Sequence, residues 1–196
     1  MQKRCNSREI IIDAAEAVVM EMGATHMSLD EVSKKAGVSK GGLMYHFPNK
    51  DSLLKAMIQR LVAQFYMDRD VTLGQLKKSP ARILKANILT ALQPNIKRQR
   101  MGLSILVVAA HNPELLESLK EAYRQHLKDI NDSGLDFERA AIISLATDGL
   151  MLLEILGLSP YSLDQKDRIK DMLVKMMDES VLKTNKTAIK RKALDV

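Results

Sequence analysis

Residues Ser28–Lys50, SLDEVSKKAGVSKGGLMYHFPNK, decide how this chain folds. Ser28 followed three residues on by Glu31 is a capping box, which opens a helix by satisfying two orphan N–H groups reciprocally. Leu29, Val32 and Ala36 recur on one face of that helix. Gly37 ends it, where a left-handed residue is wanted and glycine carries no Cβ penalty. Val38 plugs the turn, and Ser39 is the next N-cap candidate. The second helix carries Leu43 and Phe47 inward. Pro48 stops it, and Asn49 caps a helix beginning at Lys50. Ser33, four residues before Gly37, is the small residue two steeply crossed helices need where they meet. The stretch therefore reads as a helix-turn-helix. Its second helix is free to offer Lys40, Gly41, Gly42, Met44, Tyr45 and His46 to a partner, and a helix of this size fits a DNA major groove.

The segment AGVSKGGLMYHFPNKDSLL (36–54) resembles the signature of TetR-family transcriptional regulators, roughly A-G-V-S-x-G-x-L-Y-x-H/Y-F-x-x-K-x-x-L. The likeness extends upstream through IIDAAEAVVMEMGATHMSLDEVSKKAGV (11–38) and is dense over about residues 8–60. One departure stands out: the family often carries tyrosine after the leucine, where this chain has Met44 and then Tyr45-His46. The resemblance implies an all-α protein with a three-helix DNA-binding head and a larger helical body for ligand binding and dimerisation. It implies double-stranded operator DNA, a second copy of the chain and a small-molecule effector as partners, with no cofactor. Lys50 matches the family's phosphate-contacting lysine, at a helix N-terminus that also favours an anion. Thr25 and Ser28, at the start of the second helix, bring hydroxyls and free N–H groups to a phosphate. Ser39, Lys40, Gly41, Gly42, Tyr45 and His46 complete the expected DNA face. Glycines inside a helix each cost up to ~1 kcal/mol, and Gly41-Gly42 are explained if this helix must approach another surface closely.

Taken in order, Met1–Ser7 is a basic arm containing Lys3, Arg4 and the single cysteine, Cys5. Asn6 and Glu9 read as a capping box for a first helix with the stripe Ile10, Ala14, Ala17, Val18 and Met22, closed by Gly23. A long helix follows from Lys50 to about Met67. The polar stretch Asp68–Ser79, with Gly74, is the expected domain boundary, and Ser79-Pro80 starts the next helix, with the stripe Ile83, Leu84, Ile88 and Leu92. The run LSILVVAA, apolar nearly all round, predicts a buried helix, preceded by a basic patch (Lys97, Arg98, Arg100) read as a solvated helix start. Asn112-Pro113-Glu114 starts another, and HNPELLESLKEAYRQHL resembles a segment of one subgroup of TetR-like C-terminal domains. Two apolar helices close the body, about 136–157 and 162–182, the latter with the stripe Ile169, Met172, Leu173, Met176 and Met177. A basic segment from Lys183 is expected as a loose tail. The domains read as 1–67, 68–184 and a tail 185–196.

Composition narrows the function. The chain has 196 residues, 46% hydrophobic and 28% charged, with a net charge of +6 that favours a polyanionic partner. One cysteine excludes an intrachain disulfide framework. No signal sequence and no membrane-length apolar run is present, so a cytoplasmic protein is expected. His26, His46, His111 and His126 lack metal-site spacing, and neither a P-loop nor a G-x-S-x-G motif occurs. An enzyme is therefore not expected. By the family analogy the body encloses a small-molecule pocket, for which Phe65, Met101, Tyr123, His126 and Met151 are suitable lining. Asp148 and Glu154 lie in an otherwise apolar helix and need partners, either a cationic ligand or a Lys, Arg or His. The expected function is a ligand-released repressor of an efflux or detoxification gene, the alternative a helical adaptor that acts through protein contacts. Salt separates them: a specific DNA binder loses affinity steeply with salt and still discriminates sequence.

Overall fold

The computed structural model describes residues 7–110 and 112–194. Lys3, Arg4, Cys5, Asn6 and His111 lie outside them. The described residues form α1 (Ser7–Met22), α2 (Leu29–Ala36), α3 (Lys40–His46), α4 (Lys50–Gln75), α5 (Arg82–Ala91), α6 (Ile96–Ala109), a 3-10 turn (Pro113–Leu116), α7 (Glu117–Asp132), α8 (Phe137–Ile155) and α9 (Leu163–Leu194). The fold is all-α.

Two compact units result, and they are not consecutive in sequence. One runs through Ala63 and includes Asn95–Glu121; the other takes Gln64–Pro94 and the residues from Ala122 on. The segment 95–121 joins the first because Met101 and Ile105 of α6, with Leu115, are buried in the same apolar cluster as Ile11, Ile12, Ala15, Val18 and Val19 of α1. Charge fastens the same contact. Lys97 pairs with Glu16 at 2.6 Å, and Arg100 donates to the Met20 carbonyl at 2.9 Å. The basic start of α6 is thus tied down rather than merely solvated. Glu16 also meets Arg60 of α4, which reaches Glu9 at 2.6 Å and Asp13 at 2.5 Å.

The core of the first unit closes over Val32, Leu43, Phe47, Leu53, Leu54, Met57 and Ile58. The buried face of α1 is rotated about one residue from the expected stripe. Ile11, Ile12, Ala15 and Val19 are inside with Ala14 and Val18, whereas Met22 is 40% exposed. In the second unit Ala81, Leu84 and Ile88 pack with Ile130, Ala140, Ile143, Leu173 and Met177. Ile83 and Met172, expected in the stripes, are exposed.

Four expectations are corrected by the elements themselves. α4 runs on to Gln75, so Gly74 sits in its last turn and marks no break; a single glycine costs a helix only ~1 kcal/mol. α5 begins at Arg82, behind an Ala81 N-cap without a side-chain bond, so Pro80 precedes the helix rather than opening it. α6 is buried only along Met101, Ile105 and Ala109, spaced four apart, because it packs on one side; Leu103, Leu106 and Val107 stay exposed. The backbone of α9 continues to Leu194, where a loose tail was expected. Residues 163–194 contain neither glycine nor proline, so nothing in them breaks a helix.

Candidate nucleic-acid interface

The head is assembled by local hydrogen bonds. Ser28 N–H donates to Glu31 Oε2 at 2.9 Å and Glu31 N–H returns a bond to Ser28 Oγ at 3.2 Å. The Ser28 hydroxyl proton also goes to Glu31 Oε2, at 2.8 Å, and these bonds hold the Glu31 carboxyl below its usual range. Gly37 has φ 67° and ψ 27°, the left-handed region where a side chain is strained. Its N–H donates to the Lys34 carbonyl at 3.3 Å, and Val38 N–H to Ser33 at 3.1 Å, which is a Schellman closure. Ser39 Oγ accepts from Gly42 N–H at 3.1 Å and so starts α3. Asn49 Oδ1 accepts from Ser52 N–H at 2.8 Å and starts α4.

These caps leave α3 with one inward and one outward side. Leu43 and Phe47 are buried, at 0% and 2% exposure, while Lys40, Gly41, Gly42, Met44 and Tyr45 are exposed. Tyr45 is 84% exposed. It is braced edge-on against His46, with ring centroids 5.2 Å apart. At that exposure the ring buries little among the described residues beyond its edge contact with His46. A Cβ built on Gly41 meets nothing within 4 Å, so no internal contact requires glycine there.

The cations around α3 are positioned as well. Lys40 pairs with Asp30 of α2 at 2.8 Å; both are exposed, so the pair is weak and easily traded for a phosphate. Lys50 Nζ donates to the Thr25 carbonyl at 2.9 Å, which joins the start of α4 to the turn before α2. Burial lowers the Lys50 pKa, with Asp51 and Glu31 opposing. Thr25 and Ser28 are exposed beside it. Arg8, which the sequence reading passed over, stands over the Phe47 ring at 5.4 Å. The only sequence signal for it was its place in the first turn of a helix that packs on α3.

The ligand-lining candidates are divided between the two units. Met101 is a core residue of the first unit, 3% exposed; Phe65, Tyr123, His126, Asp148, Met151 and Glu154 belong to the second. Glu154 Oε2 accepts from Lys166 Nζ at 3.0 Å. Burial raises the pKa of the Asp148 carboxyl, with Tyr123 and His126 acting in the opposite direction. Phe65 stacks edge-on with Tyr66.

Two family models match this chain. Residues 11–57 match "Bacterial regulatory proteins, tetR family", and residues 81–178 match "Tetracyclin repressor-like, C-terminal domain". The chain belongs to the TetR family. Among TetR-family relatives, the HTH-type transcriptional regulator BetI of Proteus mirabilis is 26% identical over 86% of this chain and 90% of its own. The HTH-type transcriptional repressor BepR of Brucella suis is 32% identical over 44% of this chain and 42% of its own. The fold matches a solved TetR-family structure from Streptomyces coelicolor with a TM-score of 0.67, at 20% identity over 87% of this chain and 98% of that one. These relatives are named as transcriptional regulators, a non-enzymatic role. No described helix of this TetR-family protein is long and apolar enough to cross a membrane.

Proposed function

We propose that this protein is a dimeric, ligand-released repressor that binds a pseudo-palindromic operator in the cytoplasm. The observation that carries the reading is the outward side of α3, where Tyr45 is 84% exposed and a Cβ added at Gly41 would meet nothing within the chain. Each α3 enters a major groove, its first residues toward base edges. Lys40, Lys50 and the Thr25–Ser28 turn take phosphates on either side.

Dimerisation is supported by α8. Its exposed apolar residues Ile142, Leu145, Leu152 and Leu156 fall with Gly149 at intervals of three and four, the spacing of a helix-packing seam. Gly149 has open space around it and lets a partner helix approach closely. Two copies of α3 then engage two half-sites together. An effector in the body releases DNA to the extent that it prefers a dimer whose heads no longer match the operator spacing. An efflux or detoxification gene is the target class that such release serves.

Tyr45→Ala and Lys50→Ala test the DNA face. Each is expected to weaken operator binding about tenfold with the fold intact, and Lys50→Ala should also reduce the slope of log affinity against log salt by about one per phosphate lost. Fluorescence anisotropy across a salt series reads both; unchanged affinity in both variants would sink the assignment of this face. Gly41→Ala is expected to move two quantities in opposite directions. Thermal stability should hold or rise, by up to ~1 kcal/mol, because a Cβ there meets nothing. Operator affinity should fall, because the added methyl stands between α3 and the groove. If affinity is retained, α3 does not approach DNA at Gly41.

A further inference from the structure

Two acidic residues lie in the first turn of α2, and the structure uses them differently. Glu31 is taken up by the Ser28 cap. Asp30 takes no part in it. Its carboxylate meets Lys40, the first residue of α3, with Lys40 Nζ 2.8 Å from Oδ1 and 3.1 Å from Oδ2. No other cation among the described residues pairs with Asp30. The two side chains are 67% and 61% exposed, and a pair this open adds little to stability. An acid in the first turn suits the helix dipole, but Glu31 already supplies one there.

The same carboxylate is costly to a head that binds DNA. α3 turns its first residues toward base edges, and duplex DNA carries a negative charge every ~1.7 Å along its axis. When Lys40 passes to a phosphate, Asp30 loses its counter-ion beside a polyanion. On arbitrary DNA nothing offsets that repulsion. It is offset where the groove offers the carboxylate an N–H donor. The major groove has two, the amino groups on cytosine N4 and adenine N6. The adenine amino group sits between two acceptors, its own N7 and thymine O4, which repel a carboxylate. The cytosine amino group has one acceptor beside it, guanine O6. The Asp30 carboxylate therefore favours cytosine.

We propose that Asp30 is a specificity-determining residue. Lys40 neutralises it in the free head; on the operator Lys40 moves to a phosphate and Asp30 accepts a hydrogen bond from a cytosine N4–H in each half-site. The proposal rests on the reading that α3 enters the major groove, and it gives that reading one base. It also gives the Lys40 exchange a direction: the carboxylate that Lys40 leaves behind is satisfied on the cognate sequence and stranded on any other.

Selection of bound sites from random duplex DNA by the parent, Asp30→Ala and Asp30→Asn proteins tests it, with anisotropy at fixed salt on the selected operator and on a scrambled duplex. The parent is expected to require cytosine at one position of each half-site, and replacing that base should weaken binding about tenfold. Asp30→Ala should lose the preference at that position alone and bind the scrambled duplex about threefold more tightly, because a charge that repels phosphates is gone. Asp30→Asn, of the same shape, should move the preference to adenine, whose N6 and N7 an amide pairs with. Melting curves show that each variant is folded. A residue that served only α2 would lower affinity for every sequence alike and leave each base preference in place, and that result overturns the proposal. Enrichment of the parent's own repeat, unchanged, by Asp30→Ala overturns it while the groove reading stands. A parent protein that enriches no sequence overturns both.

Discussion

Leu145→Asp is expected to turn the protein into a folded monomer and to lower its affinity for the full operator by on the order of a thousandfold. Leu145 is 70% exposed, in the seam with Ile142, Gly149, Leu152 and Leu156, so the isolated chain loses almost nothing when a carboxylate replaces it. In a dimer the same position is buried, and a carboxylate without a partner there carries the full desolvation cost. The loss of DNA affinity follows from linkage. Two tethered heads bind the second half-site at high effective concentration, and separating them removes an enhancement of about 10²–10⁴ without touching a DNA contact. Sedimentation velocity and anisotropy on one sample measure both quantities. A Leu145→Asp protein that remains dimeric, or a monomer that binds the full operator undiminished, contradicts the arrangement.

Leu43→Ala is expected to do the reverse, destabilising the head while the dimer persists. Leu43 is the inward residue of α3, with 0% exposure, in one cluster with Val32, Leu53 and Met57. Deleting a buried leucine side chain costs about 2–5 kcal/mol through lost transfer energy and the cavity left behind. α3 has only seven residues and is too short to hold its helix without this packing. Urea unfolding followed by circular dichroism should show an early transition, and operator affinity should fall with the fraction of folded head. A loss below about 1 kcal/mol would mean that α3 is anchored by something other than Leu43.

The contrast between these two variants tracks what the sequence reveals and what it hides. The helix-turn-helix was readable residue by residue because its signals are local. The Ser28–Glu31 box, the left-handed Gly37, the Ser39 cap and the Asn49 cap each act within a few positions of themselves. The facing of α1 was not readable, because Ile10 and Ile11 are equally apolar and only the packing of α2, α4 and α6 decides which turns inward. Arg60 meets partners 44 to 51 positions away, and no spacing rule links residues that far apart. The inclusion of 95–121 in the first unit depends on Met101 and Ile105 reaching α1. In the sequence those two look like the rest of an apolar helix.

The candidate sites divide in the same way. The outward side of α3 followed from Leu43 and Phe47, which point in and leave Lys40, Gly41, Gly42, Met44 and Tyr45 facing out; the expectation that this side meets DNA, with Lys50 beside it, came with the family resemblance. In the body, Asp148 and Glu154 looked alike as lone carboxylates in an apolar helix. Only tertiary packing separates them, by giving Glu154 a lysine and Asp148 a tyrosine.

The measurement that tests the central claim most directly is selection of bound sites from random duplex DNA by the purified protein. The account predicts enrichment of a single inverted repeat whose half-sites are about one helical turn apart or a multiple of it, with the enrichment lost in Tyr45→Ala. Binding that merely follows salt, with no sequence enriched, would contradict a dimeric sequence-reading repressor and favour a protein that keeps this fold but works through protein contacts.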